Sequence, residues 1–288
     1  MRMLAMLLVL LLPCGALAFV SGMDDQNTNI PPDVQRKLDL AITTYYQHPT
    51  KEKVETVLDI MNNSKLLRKK TSWPPMVGFL TVVFAQSKEH LFDWMSRNNY
   101  NTHAEDVFIA ALLHAGLKET ALVFAQAHQW NGAQLEQLRN MSDTVDLKHL
   151  SVVLPGHIDT LWGAFFGSGD PVYVNEILDA TPTGTTVPLQ DGQPPGSEVR
   201  GLRETSTLCV NTLIQYAAVH KPVRDALIAR IASETDDYNR HMFESILTNS
   251  EGPARRLHYT VALAAFSLLV ALSAGLCLIK TKRKPSHA

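Results

Sequence analysis

The chain has 288 residues, 45% of them hydrophobic, and a formal charge of −2, the balance of an ordinary globular protein and not of a disordered or fibrous one. Much of the hydrophobicity gathers at the two ends, and residues 19–258 between them carry 21 Lys/Arg against 28 Asp/Glu, a formal charge of −7. So acidic a body argues against nucleic acid as a partner, because displacing phosphate counterions takes clustered cations.

Residues 1–18 open with Met1-Arg2, run through an apolar stretch from Met3 to Leu12 and close with Pro13-Cys14-Gly15-Ala16-Leu17-Ala18. A positive start, a short apolar core and a small-x-small exit make the pattern of a secretory signal peptide. Ala16 and Ala18 fill the small pockets of a signal peptidase, and the run is short for a bilayer span. The mature protein is therefore expected to begin at Phe19. Mass spectrometry of the intact chain checks this, and a retained Met1 would make the segment a second membrane anchor instead.

Residues 19–250 read as an exported helical domain. "PPDVQRKLDLAITTYYQH" puts Val34, Leu38, Ile42 and Tyr45 on one stripe after a proline start. "TKEKVETVLDIMNN" repeats the pattern with Val54, Val57, Leu58 and Met61, opened by Thr50 as N-cap. Between this helix and the next lies "SKLLRKK", in which Lys65, Arg68, Lys69 and Lys70 form the basic cluster of the exported part. They are candidate contacts for anionic headgroups or an acidic partner, although charge runs are usually solvated linkers.

"PPMVGFLTVVFAQS" with "KEHLFDWMSR", and "HAEDVFIAALLHAG" with "LKETALVFAQAHQ", predict two further helical pairs, the second broken at Gly116 as a C′ residue. "HLSVVL" before Pro155 is the one short stretch with a strand signal. "AFFGSGDPVYV" suggests a phosphate loop at first sight, but a helix precedes it and no lysine follows in Walker fashion. It is expected to join two helices: Gly169 stops the first, Asp170 caps the second and Pro171 opens it. Residues 181–201 form a Pro/Gly-rich loop, and "ETSTLCVNTLIQYAAVH", "PVRDALIARIAS" and "DDYNRHMFESIL" are the last helices, ending near Leu247.

A juxtamembrane linker, residues 251–258, leads to 21 uncharged residues from Tyr259 to Ile279. At about 1.5 Å per residue they make a helix long enough to cross a bilayer. Lys280, Lys282, Arg283 and Lys284 in the basic tail 280–288 outweigh Arg255 and Arg256 on the other side, which orients the C-terminus to the cytoplasm. The signal peptide gives the same topology. Cys14 leaves with the signal and Cys277 lies in the span, so Cys209 alone remains and the exported domain must rely on its own core.

The fold class implied is all-α: antiparallel helical hairpins stacked as an irregular α-solenoid, or an orthogonal bundle, plus one C-terminal transmembrane helix. "LWGAFFGSGDPVYVNEIL", and "PPMVGFLTVVFAQSKEHLFDWM" followed by "EDVFIAALLHAGLKETALVFA", resemble segments of uncharacterised exported bacterial proteins with helical-hairpin repeats. The resemblance covers roughly residues 70–180 and implies a bacterial envelope location and a helical fold, with no catalytic residues to carry over.

No His-Glu-x-x-His, Cys-x-x-Cys or Gly-x-Ser-x-Gly occurs, so no catalytic residue, metal ligand or cofactor is expected. Glu89, His90 and Asp93 read as a solvated helix face, and Glu234, Asp236 and Asp237 as acids at a helix start. The function implied is a single-pass scaffold of the cell inner membrane, with its helical domain on the periplasmic side, binding an envelope protein or peptide. An envelope enzyme with a site assembled from distant residues, or a lipid-surface binding module, are the alternatives.

Overall fold

The computed structural model describes residues 30–97, 100–141, 146–182 and 197–252. Their regular structure is helical throughout, in chain order α1 (Pro32–Thr43), α2 (Lys51–Asn63), α3 (Trp73–Gln86), α4 (Leu91–Met95), α5 (Thr102–His114), α6 (Lys118–Ala127), α7 (Gly132–Arg139), α8 (Pro155–Ser168), α9 (Val172–Ala180), α10 (Ser197–Val219) and α11 (Lys221–Ser233). A twelfth, α12, covers residues 237–252. No described helix is long and apolar enough to cross a membrane. The span expected at 259–279, the signal peptide with Ala16 and Ala18, and the tail with Lys280, Lys282, Arg283 and Lys284 all lie outside the described residues.

The chain divides into two compact units, with the boundary inside α10 between Thr212 and Leu213. In the first, the amphipathic helices follow their periodicity. Val54, Val57, Leu58 and Met61 of α2 are all buried, and Thr50 Oγ1 accepts a hydrogen bond from Lys53 N. On α1 the buried set is Leu38, Ala41 and Ile42. Gly116 ends α5 with φ +71°, and its N–H and that of Leu117 donate to Leu113 O and Leu112 O. This paired closure satisfies carbonyls that a helix end otherwise leaves open.

Two helices have no polar face. Residues 73–84 of α3 and 156–167 of α8 are buried without interruption, α3 as an evenly apolar helix must be and α8 with His157, Asp159 and Thr160 carried inside. They pack chiefly on each other, in the most extensive contact between elements, and α3 packs next on α5. Small residues bring their backbones together at the crossing. A Cβ added to Gly78 would fall inside the Thr160 carbonyl, and one added to Gly163 would lie 2.8 Å from Phe79 N. The hydroxyls caught in this contact are satisfied within their own helices, Thr81 by Val77 O and Thr160 by Gly156 O. Pairing across some eighty residues is not the nearest-neighbour pattern of a solenoid.

Three boundaries differ from the sequence reading. "HLSVVL" forms no strand: Leu147–His149 is a 3-10 turn and residues 150–153 are irregular. A strand needs a neighbour for its backbone groups, and here the His157 ring instead sits 2.8 Å from Ser151 O through Nδ1. The expected loop 181–201 overlaps α10, which starts at Ser197. The last helix does not stop near Leu247 but continues through residue 252; Glu251 there pairs with Arg224 of α11.

In the second unit, Leu213, Tyr216, Val223, Leu227, Phe243 and Ile246 are buried. Arg230 lies over the Phe243 ring at 5.6 Å and pairs with Glu234. Asp236 caps α12 by accepting from Asn239 N at 2.9 Å, the role expected of an acid at a helix start.

Candidate functional site

The joint "GSGDP" is built as its residues dictate. Gly169 takes φ +72° and closes α8 by donating to Phe165 O. Asp170 Oδ1 then accepts from Val172 N at 3.0 Å, and Pro171 immediately precedes α9. Ser168 Oγ donates to Ala164 O and accepts from Asp170 N.

That joint is also one wall of a recess of about 530 Å³. Its other walls are Thr81, Val82, Ala85 and Gln86 from the end of α3, residues 113–116 from the end of α5, Lys118 at the start of α6, the turn 146–148, and Tyr173 of α9. Three helices therefore end at the recess, α3, α5 and α8, and each brings the negative pole of its dipole.

The charged side chains around it are held in fixed roles. Lys118 Nζ donates to Met141 O at 2.7 Å. Lys148 Nζ stands 3.4 Å from Asp170 Oδ2, while Asp146 Oδ1 accepts from Lys148 N. Burial, and then the carboxylates of Asp170 and Asp146, push the Tyr173 phenol up to about 12. The recess thus offers paired ions, a protonated phenol, an imidazole at His114 and apolar wall from Val82, Ala85 and Leu113.

The residues singled out by sequence stand elsewhere. Lys65, Arg68, Lys69 and Lys70 are all exposed, within or flanking two successive 3-10 turns, Leu66–Arg68 and Lys70–Ser72, and none lines the recess. Asp93 bonds Lys51 of α2 at 2.6 Å, leaving Glu89 and His90 as a weak surface pair at 3.9 Å. Sequence reasoning did not find the pairing of His128 with Glu105, 3.1 Å apart and nearly covered. The His128 ring packs 4.2 Å from that of Phe124, and the pair ties the end of α6 to the first turns of α5. Among the described residues no group of three or more His, Cys, Asp or Glu side chains is placed to hold a metal.

Asp159 of α8 is 8% exposed, and burial holds its carboxyl well above the usual carboxylate range. It does not line the recess. With the folded-state pKa raised, its contribution to stability is full below about pH 4 and is lost as pH rises through the folded value. The Asp159→Asn variant is expected to remove that loss. Urea titrations across pH should show the variant more stable than the wild type at neutral pH, because the amide cannot ionise where the buried carboxyl can. Parallel pH profiles for the two proteins would mean that the carboxyl is solvated in solution.

Comparison with family models, with curated proteins and with solved structures yields no match.

Proposed function

We propose that the chain is a membrane-tethered helical scaffold of the cell envelope, and that the recess between the ends of α3, α5 and α8 receives a segment of a partner protein. The recess is the observation that carries the reading: about 530 Å³ of mixed polar and apolar wall, set at helix joints that a shared buried core holds in place. Such joints vary freely without disturbing the packed helices, which suits them to recognition. The envelope setting rests on the two terminal segments and on the resemblance over residues 70–180. With α12 reaching residue 252, six residues separate it from the expected span, and six extended residues reach at most about 22 Å.

The enzyme reading draws on the same recess, because it gathers His114, Lys118, Asp170 and Tyr173. The Tyr173 phenol is shifted the wrong way for it. A phenol raised to about 12 stays protonated near neutrality and cannot act as a base, whereas a general base needs a pKa near the working pH. A hydrogen-bond donor in a paired-ion setting suits binding better.

The test is site-specific photocrosslinking in native membranes. A probe replacing His114 should trap one discrete membrane species, and a probe at the exposed Gln137 of α7 should not. Ala115→Trp, which fills the recess, should abolish the product while the thermal unfolding of the variant stays near that of the wild type. Equal trapping from both positions would sink the reading, and turnover of a small molecule that Ala115→Trp blocks would replace it with the enzyme.

A further inference from the structure

In an acidic body, most cations that come near a carboxylate pair with it: Lys51 with Asp93, Arg97 with Glu55 and Asp59, Lys148 with Asp170, Arg230 with Glu234. Most of the cluster at 65–70 does not follow this rule. Lys65, Arg68 and Lys70 form no ion pair among the described residues, and no Asp or Glu occurs between Asp59 and Glu89.

Nor is the cluster a loose charged tail. Leu67, between the cations, is 1% exposed, and its carbonyl accepts from the buried Trp73 indole at 2.7 Å. Ser72 Oγ donates to Leu66 O at 3.0 Å, and Ser64 Oγ accepts from Leu66 N at 3.2 Å. Both 3-10 turns are closed by their own backbone bonds, Arg68 N to Lys65 O and Ser72 N to Lys69 O. The fold therefore presents four cations outward from an anchored base.

We propose that this platform rests on anionic lipid headgroups of the membrane to which the chain is tethered, so that the first unit docks on the bilayer through residues 64–72. Three of the four cations are lysines, hydrated point charges that suit a diffuse surface potential better than the bidentate geometry an Arg-based carboxylate site would use. The inference rests on the tethered-scaffold reading, because the tether keeps a bilayer at high effective concentration. Each cation near such a surface strengthens the contact roughly fivefold, and the attraction falls with salt.

The experiment is amine footprinting of the full chain in lipid discs, read by mass spectrometry at Lys65, Lys69 and Lys70. Lys221, whose side chain is 84% exposed, serves as internal reference. In discs containing phosphatidylglycerol, the three lysines should be acylated at least about fivefold more slowly than in phosphatidylcholine discs, with Lys221 unchanged. The protection should fade at high salt, and Arg68→Gln with Lys70→Gln should weaken what remains at Lys65 and Lys69. Equal labelling in both lipids overturns the inference, as does equal protection in both. Protection by inorganic phosphate in phosphatidylcholine discs would make the cluster a free-anion site, and protection confined to native membranes would assign it to a protein; each replaces the lipid surface. A chain that does not stay in either disc removes the tether itself, an outcome distinct from a retained chain without lipid dependence.

Discussion

Gly78→Ala is expected to destabilise the protein by about 3–5 kcal/mol, at the upper end for overpacking, although the same change in an open helix stabilises. Alanine is the better helix former by about 1 kcal/mol, so intrinsic propensity predicts the opposite sign. The crossing decides otherwise. The new methyl would fall inside the Thr160 carbonyl and would lie 2.8 Å from its carbon and 3.1 Å from Ala164 N. These are backbone atoms with no rotamer to yield, so the two most buried helices of the first unit would have to separate. Gly201 of α10 provides the control, because a Cβ there meets nothing within 4 Å, and Gly201→Ala should stabilise by about 0.5–1 kcal/mol. Denaturant titration of both variants checks the pair. If Gly78→Ala also stabilises, α3 and α8 do not touch as described.

Trp162→Ala is expected to cost about 3–5 kcal/mol and to lower the melting temperature by roughly 6–20 °C. The ring is 2% exposed on α8, edge-on to Phe165 at 5.8 Å and near-parallel to Phe166 at 6.0 Å. The tight crossing blocks collapse around the gap: Gly163, one residue on, already holds α8 as close to α3 as backbones come. A fall in the denaturant midpoint with an unchanged slope would identify lost packing. A neutral result would place Trp162 in solvent and make it a binding residue instead.

What the sequence made legible was local. The α2 stripe, the Thr50 cap and the glycine stops at 116 and 169 were readable because each depends on residues within one or two turns. The pairing of α3 with α8 was not, since an evenly apolar helix declares that it is buried without declaring against what. "KEHLFDWMSR" read as one helix, yet it is a 3-10 turn, Lys88–His90, followed by the five residues of α4. The recess was hidden for a similar reason. Its lining comes from separate stretches between residues 81 and 173, and of these only Gly116 and Ser168 to Asp170 drew notice, as joints between helices. Joint and wall are the same residues.

The order in which the chain is made gives the central crossing a further consequence. Gly78 leaves the ribosome some eighty residues before Thr160, the residue whose backbone it must touch, and closing so long a segment costs entropy before any contact repays it. Until α8 is complete, α5 can cover one side of α3, but the side that meets α8 has no partner. Any fragment that stops short of Pro155 leaves that surface open, exposed to aggregation or to a chaperone. Closure of the α3–α8 crossing is thus a late step, set by the arrival of one fourteen-residue helix.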